Sequence, residues 1–252
     1  MKRILILAGA PVGWLDRSAS EVSNSIATLH DGDAPITVGA IELASAHWSH
    51  RIVDGEASTT VRLMDGTTID TQSIGAVLNL VRSLPAIGFR RSSERDRAYA
   101  EAEQQALFVS FLRSFRCRVV NSVDGQGPLG LWSPLRWSTL AHRCGIDTWP
   151  GGLTTGTRLL TQRASPIGVP VTTTNVIVVG ERVFGAVSPR HARQCRRLAR
   201  VSGCELLGLT FDGGPARQML SADPFPPLAG DVAMQVARLL CERAATSTER
   251  VA

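Results

Sequence analysis

The sequence predicts a mixed α/β fold, and three observations lead to this prediction. Short β-prone apolar runs alternate with longer amphipathic stretches along the 252 residues. Apolar residues make up 44% of the chain, enough to bury a core in one large domain or two small ones. Clusters of glycine and proline separate the runs, as expected at turns between elements.

The N-terminal third predicts strands and a hairpin. Residues 1–9, MKRILILAG, have a basic start followed by a continuous β-prone run, which is typical of a buried first strand. The run ITVGAIEL is a second strand candidate, and TTVRLMDGTTIDTQ predicts a β-hairpin that turns at Asp65–Gly66. The segment GAPVGW after the first strand lacks the GxGxxG spacing of a dinucleotide site, so no such site is predicted there.

A strand, a helix and another strand follow. Residues 76–82, AVLNLVR, predict a buried strand that ends on Arg82, and a charge at the carboxyl end of such a strand is well placed for a ligand. Ser92 or Ser93 caps the next helix, whose opening turns are acidic. The run CRVVNS then predicts a strand that stops at Asn121.

The C-terminal half alternates again between helices and strands. A helix from about Leu135 to Cys144 precedes a glycine-rich loop, and residues 174–187 predict a hairpin that turns at Gly180–Glu181. A basic helix ending at Gly203, the strand ELLGLTF and an amphipathic closing helix complete the chain.

Arginine supplies almost every positive charge. Lys2 is the only lysine, and all other basic side chains in the total of 27 are arginine. Schiff-base chemistry and a Walker phosphate loop both need a suitably placed lysine, so these two classes are excluded. Arginine binds carboxylate or phosphate as a two-pronged donor, but it is a poor base or nucleophile.

Cysteine and histidine give no metal signal. The five cysteines are scattered and never in CxxC spacing, so we expect buried free thiols. His47 and His50 would share a face of a helix, but no Asp, Glu or Cys stands beside them. No run approaches the ~20 apolar residues of a membrane helix, and no signal peptide is recognisable. We therefore expect a cytoplasmic protein without a membrane partner.

The net charge of +5 raises the question of a nucleic-acid partner. Arginines cluster at residues 90–97, 113–118 and 190–200, but no cluster carries the aromatic ladder of a single-strand binder. We interpret the clusters as solvated helix faces, and nucleic acid as an unlikely partner.

Three stretches of the sequence, taken in order, share a pattern with one known family. The first runs from LNLVRSLPAIGF to FRCRVVNS, with a Tyr-x3-Glu pattern at Tyr99 and Glu103. The second is SPLRWSTLAHRCGIDTWP. The third comprises NVIVVGERVFGAV, ELLGLTF and SADPFPPLAGDVAMQVARLL. Together they resemble the ATP-grasp superfamily, specifically the glutathione-synthetase/RimK-like ligases.

The resemblance implies a fold and a domain order. Residues 1–121 are expected to form a pre-ATP-grasp (Rossmann-like) α/β domain, and residues 122–150 a linker and helix. Residues 151–252 are expected to form an abbreviated ATP-grasp half without its mobile lid lobe, because residues 151–173 are too few for that lobe.

The resemblance also implies site residues of three kinds. Candidates for binding an anion or a substrate carboxylate are Arg82, Arg90, Arg91, Tyr99 and Asn121. Nucleotide-binding candidates are Ser133, Arg136 and Arg158, and metal candidates are Asp212 and Asp223. ATP and Mg²⁺ are the cofactors that the resemblance implies.

Several of these residues also have plain structural explanations. Tyr99 and Glu103 are one helical turn apart and would form a surface hydrogen bond. Asn121 would turn the chain after its strand, and Asp223 before Pro224 is a common way to begin a turn.

The chain departs from the family pattern where the family handles phosphate and metal. Pro134 stands where the family has a phosphate-binding lysine. Ser221 and Asp223 occupy the strand that normally ends Glu-x-Asn, and Thr210 stands where the upstream strand supplies an Asp.

These departures favour a noncatalytic partner or subunit of a carboxylate–amine ligation system, which binds a carboxylate-bearing small molecule or peptide. One alternative is an active ATP- and Mg²⁺-dependent ligase in which arginines replace the lysines. A second alternative is a phosphate- or nucleic-acid-binding module. A partner protein or a homo-oligomer is compatible with each of the three.

Overall fold

A computed structural model describes residues 2–9, 14–29, 33–89, 91–121, 133–148, 172–213 and 217–249. The predicted absence of the lid lobe rests on residues 151–173, of which 151–171 lie outside these ranges. The candidates Arg90 and Arg158 also lie outside them. The elements in chain order are β1 (Arg3–Ala8), α1 (Trp14–Leu29), β2 (Ile36–Gly39), α2 (Ala40–Ser45), β3 (His47–Val53), β4 (Glu56–Arg62), β5 (Thr68–Asp70), β6 (Ile74–Asn79), a short 3-10 helix (Ile87–Phe89), α3 (Glu94–Arg113), β7 (Val119–Val120), α4 (Pro134–Arg143), β8 (Thr173–Val179), β9 (Arg182–Phe184), α5 (Pro189–Ser202), β10 (Leu206–Asp212), β11 (Met219–Asp223) and α6 (Gly230–Glu249).

The helices and sheets confirm the predicted mixed α/β class. The chain divides into two compact units. Unit 1 contains Met1–Gly130 and Pro227–Ala252, and unit 2 contains Leu131–Pro226. The closing helix α6, which the sequence analysis grouped with the C-terminal segment, therefore clusters with unit 1. The reason is packing: α6 lies against α1 and β6, and the Leu228 amide donates to Ser18 Oγ at 2.9 Å.

Unit 1 has a parallel sheet in the order β2-β1-β6-β7 and a separate antiparallel sheet in the order β3-β4-β5. Strands β1 and β6 are almost entirely buried, as their continuous apolar sequences predict. The hairpin turning at Asp65–Gly66 is confirmed by the antiparallel pairing of β4 with β5. The second predicted strand is only half right, because ITVG is β2 and the following residues form α2.

Helix α3 begins where the sequence predicts. Ser93 is the N-cap, with Oγ accepting from the Asp96 amide at 3.2 Å. Its buried residues, Phe108, Phe111 and Leu112 among them, pack into the core of unit 1. Trp48 of β3 stands edge-on to Phe111 with ring centroids 5.0 Å apart, so α3 and the antiparallel sheet share one core.

A chain of hydrogen bonds between side chains also joins β3 and β4 to α3. His50 lies on a strand, so the helix-face pairing of His47 with His50 is wrong: residues three apart on a strand point to opposite faces. His50 Nδ1 lies 2.7 Å from Thr59 Oγ1, and His50 Nε2 lies 2.9 Å from Ser110 Oγ. Thr59 Oγ1 also lies 3.0 Å from Ser114 Oγ.

The donors available along this chain of hydrogen bonds determine the tautomer of the His50 imidazole. Ser114 Oγ donates its single proton to the Phe111 carbonyl, so it accepts from the Thr59 hydroxyl. Thr59 has then used its only proton and must accept from His50 Nδ1–H. For a neutral imidazole, Nε2 therefore accepts from the Ser110 hydroxyl.

Unit 2 is an antiparallel sheet in the order β11-β10-β8-β9 with α4 and α5 packed into its core. The predicted hairpin at Gly180–Glu181 is the pairing of β8 with β9. Gly203 ends α5 in a left-handed conformation with φ of 71°, as its position after the basic helix predicts. Within the described ranges, no helix combines the length and apolar content needed to cross a membrane.

Replacing Thr59 by valine keeps the side-chain shape and removes both of its side-chain hydrogen bonds. We expect Thr59→Val to lower the free energy of unfolding by about 1–3 kcal/mol, because His50 and Ser114 lose a buried partner. Urea denaturation followed by circular dichroism measures this loss. Thr60→Val is the matched control, because Thr60 is exposed on the same strand. Equal losses in both variants would contradict the stabilising role of this chain of hydrogen bonds.

Candidate functional site

The carboxyl edge of the parallel sheet in unit 1 carries two asparagines. Strands β6 and β7 pair through Val77 with Val119 and Leu78 with Val120, so Asn79 and Asn121 follow at neighbouring strand ends. Asn79 Nδ2 donates to the Asn121 carbonyl at 3.0 Å, and Asn79 Oδ1 accepts from the Val81 amide at 3.0 Å. The Asn79 side chain thus ties the two strand ends together.

Asn121 turns the chain directly after its strand, as the sequence predicts, whereas Arg82 does not end its strand. Asn121 has a left-handed backbone with φ of 60°, a conformation that Asn tolerates better than most residues. The strand expected to end on Arg82 ends at Asn79, and Arg82 lies half-buried three residues later. Asn79 is therefore the strand-end residue that the sequence reasoning missed, although an Asn after a buried apolar run was a usable signal.

Two further anion-binding candidates of unit 1, Arg91 and Tyr99, lie at the surface. Tyr99 is 68% exposed on α3, and Arg91 is exposed just before that helix. The structure thus brings Asn121 beside Asn79, whereas Arg91 and Tyr99 face solvent.

Two of the nucleotide candidates, Ser133 and Arg136, stand at the start of α4. Ser133 is the N-cap, and its Oγ accepts from the Arg136 amide at 3.3 Å. Arg136 is exposed, and Pro134 opens the helix where an amide hydrogen is dispensable. Trp137 is buried in the unit 2 core, so its ring serves packing.

One face of the unit 2 sheet is apolar, and part of the other face is polar. Leu207, Leu209 and Phe211 of β10 are buried in the core with α4 and α5. The alternate residues Thr210 and Asp212 therefore point to the opposite face.

A row of three polar residues crosses this face. Thr210 pairs with Asn175 of β8 on one side and with Ser221 of β11 on the other. Thr210 Oγ1 donates to Asn175 Oδ1 at 3.2 Å. We call Asn175, Thr210 and Ser221 the central row. Asn175 was not predicted from the sequence, because its role appears only when the register is known.

The two metal candidates lie on either side of the central row. Asp223 pairs with Gly208, and Asp212 pairs with Thr173. Gly208 and Asp212 are four residues apart on one strand, so their Cα atoms are about 13 Å apart. Because Mg²⁺ holds its ligands at about 2.1 Å, side chains that start this far apart are poorly placed to share one ion. Among the described residues, no group of three or more His, Cys, Asp or Glu side chains is arranged to hold a metal ion.

Both carboxylates are engaged with nearby backbone. Asp223 Oδ1 accepts from the Phe225 amide at 2.9 Å, the turn that its position before Pro224 predicts. Pro226 then covers Gly208, where an added Cβ would lie 2.8 Å from the proline Cβ. Asp212 Oδ1 accepts from the Gln218 amide at 2.7 Å and closes the loop after β10.

A histidine lies beside that loop. The His191 ring stands edge-on to Phe211 with centroids 4.7 Å apart, and Arg217 donates to the Ala186 carbonyl at 2.7 Å. Burial, and then the charge of Arg217, lower the pKa of His191 from 6.5, against the opposing effect of Asp147. Burial alone raises the pKa of Cys195 to about 12, so this thiol stays protonated and unreactive. The prediction of free thiols is confirmed, with Cys144 and Cys195 buried and Cys117, Cys204 and Cys241 half-buried.

Comparison with known proteins identifies the fold. No protein-family model matches the chain, and no curated protein sequence does. Solved structures match over nearly the whole chain. The macrocyclase MdnC bound with precursor peptide MdnA from Microcystis aeruginosa MRC has 13% identity and a TM-score of 0.70, covering 95% of this chain and 99% of that one.

Two further solved structures match the chain over nearly its whole length. The Chryseobacterium gregarium RiPP-associated ATP-grasp ligase, in complex with ADP and a leader and core peptide, has 13% identity and a TM-score of 0.67, with coverages of 96% and 97%. The D-alanine-D-alanine ligase from Aeromonas hydrophila has 13% identity and a TM-score of 0.52, with coverages of 97% and 95%. The ATP-grasp resemblance is confirmed at the level of the fold.

The depressed pKa of His191 predicts a pH-dependent stability. The folded protein favours the neutral imidazole. The free energy of unfolding is therefore greatest above pH 6.5 and decreases as the pH falls below 6.5. Arg217→Gln removes one cause and should raise the pKa of His191, which an NMR titration of the imidazole Cε1–H measures. Arg182→Gln is the control, since Arg182 is an exposed arginine in the same unit that does not contribute to the shift. Identical titrations in the two variants would refute the assigned electrostatic cause.

Proposed function

We propose that this chain is a noncatalytic ATP-grasp-fold partner or subunit in a carboxylate–amine ligation system, and that it binds a carboxylate-bearing peptide or small molecule. In this proposal unit 1 is the pre-ATP-grasp domain. The peptide class is supported by the structural neighbours, since MdnC and the Chryseobacterium ligase were solved with precursor, leader or core peptides.

The central row is the observation that carries the noncatalytic part. In the ATP-grasp resemblance, Thr210 and Ser221 stand where the family supplies carboxylates. The register places these two uncharged residues directly opposite each other. Hydroxyls do not supply the negative charge with which carboxylates bind Mg²⁺ between phosphates, so the residues present fit this ion poorly.

The cationic side of the site is also altered. Lys2 is the only lysine of the chain, and it precedes β1. Arg136 is positioned to contact an anion near the start of α4, but Ser133 Oγ is already used as the helix cap. The phosphate-binding lysine and the metal-binding carboxylates, which the family uses to align the γ-phosphate, are therefore both changed. Acyl-phosphate formation requires this alignment.

The asparagine edge of unit 1 is our proposed place for the substrate carboxylate. Parallel sheets bind ligands at their carboxyl edge, where Asn79 and Asn121 fix the backbone. Arg82, three residues beyond the strand, supplies the cation in this proposal. Tyr99, Arg90 and Arg91 remain sequence-based candidates for the same role.

Calorimetry with ATP, with and without Mg²⁺, tests this proposal. We expect no magnesium-dependent binding by the natural sequence and no ADP release with acidic test peptides. Restoring two carboxylates in Thr210→Asp/Ser221→Glu should create magnesium-dependent nucleotide binding, because carboxylates are the ligands that Mg²⁺ prefers.

The control and the contrary outcomes are distinct. Thr60→Asp/Ser58→Glu introduces the same residue types on the exposed face of β4 and should create no binding. Magnesium-dependent ATP binding by the natural sequence, with ADP release that Asp223→Asn abolishes, would instead establish an active ligase. Absence of any gain in Thr210→Asp/Ser221→Glu would overturn the role assigned to the central row.

A further inference from the structure

Helix α5 presents a continuous line of arginines to solvent. Arg190, Arg193, Arg197 and Arg200 are all exposed, and we call them the arginine stripe. At 3.6 residues per turn, their spacing of three, four and three residues confines them to an arc of about 80° and a length of about 15 Å. Sequence clustering alone did not establish this, because clustered arginines can also encircle a helix.

The stripe has a cost that an ordinary solvated face avoids. The 14 residues of α5 include no Asp or Glu, so no acidic neighbour within the helix offsets the arginines. Like charges three or four positions apart destabilise a helix by about 0.2–0.5 kcal/mol per pair. Arg190 and Arg193 also stand in the first turns, where the helix dipole disfavours cations. An anionic partner would relieve all of these terms.

One carboxylate of the chain shows the chemistry that the stripe accepts. Glu181, in the turn between β8 and β9, lies 3.0 Å from Arg200 Nη2, with the two side chains 72% and 73% exposed. Arg196 Nη1 donates to the Glu181 carbonyl at 3.3 Å, which holds this turn against the helix. Glu181 therefore occupies one end of the stripe, and Arg190, Arg193 and Arg197 continue beyond it.

The surroundings of the stripe favour a peptide over a nucleic acid. Val201, 49% exposed, lies on the same side of the helix as Arg190 and Arg197 by helical angle, and it offers an apolar contact. The exposed large apolar side chains in the described part of unit 2 are Leu135, Val201 and Leu220, none of which is aromatic. Proteins that bind single-stranded nucleic acids combine a positively charged groove with aromatic rings on which the bases stack, and the described part of this surface supplies no such rings.

We propose that the arginine stripe is a docking surface for an acidic peptide segment that also carries apolar residues. Carboxylates on alternate residues of an extended peptide repeat at about 7 Å, within reach of successive guanidinium groups that rise about 4.5–6 Å apart. Each guanidinium can hold a carboxylate through two hydrogen bonds. The choice of a peptide as occupant rests on the proposed function, whereas the anion-binding character of the stripe does not.

The stripe is separated from the candidate site of unit 2. Cys195, Leu198 and Ala199 bury the inner side of α5 against the apolar face of the sheet. The stripe therefore lies on the opposite side of the sheet from the central row. A segment held on it would tether the rest of a peptide near unit 2 and raise its local concentration, without taking part in any chemistry.

Fluorescence anisotropy with labelled peptides tests the docking surface. The probe is a peptide of about ten residues that alternates glutamate with leucine or alanine, long enough to span the stripe. We expect it to bind, and Arg193→Gln/Arg197→Gln to weaken binding at least about tenfold, since two charge-assisted contacts are lost. Circular dichroism of the variant checks that the helix is intact. A peptide with glutamine in place of glutamate should not bind.

Arg95→Gln/Arg97→Gln is the matched control, because it removes two exposed arginines from α3. Equal weakening in both variants would show that net charge, and not the stripe, binds the peptide, and would overturn the proposal. Failure of the natural sequence to bind the acidic peptide would also overturn it. Tighter binding of an oligonucleotide of equal charge, lost in Arg193→Gln/Arg197→Gln, would assign the surface to nucleic acid instead. The assay contains neither nucleotide nor Mg²⁺, so its failure is separate from failure of the proposed function.

Discussion

The pairing register of β8, β10 and β11 is the constraint on which the candidate site of unit 2 depends. It places Thr210 between Asn175 and Ser221, and it sends Leu209 and Phe211 into the core. A slip of one residue would exchange these faces and expose the apolar side chains. The buried face therefore fixes the polar face, and the central row keeps its geometry although its side chains are uncharged.

Unit 1 is organised by a different means, namely short hydrogen-bonded links inside an apolar core. Asn79 joins two strand ends, Ser18 accepts from the Leu228 amide, and the chain through His50 and Thr59 joins a sheet to α3. Buried polar groups are costly unless paired, so these links favour one packing of the elements over its alternatives. The result is that the two strand ends at the carboxyl edge of the parallel sheet are joined by a buried hydrogen bond.

Arginine gives the two proposed binding functions a common character. A chain with one lysine has few ways to use an amine as a nucleophile or base, but many ways to hold carboxylates. The ATP-grasp fold with an uncharged central row, together with a helix face that gathers arginines, is consistent with a protein that positions an acidic peptide for another catalyst.

The sequence by itself determined the alternation of elements, the two hairpins, a cap at Ser92 or Ser93, the helix end at Gly203 and the resemblance to the ATP-grasp fold. These features depend on residues close together in the chain, where turn chemistry and apolar periodicity act directly. Only the tertiary structure decided that Asn79 ends its strand beside Asn121, that α6 belongs with unit 1, and that Thr210 meets Asn175 and Ser221. It also decided that Asp212 and Asp223 stand apart. Thr210 and Asn175 are 35 positions apart and Asn79 and Asn121 are 42 apart, and no local pattern specifies a register across such distances.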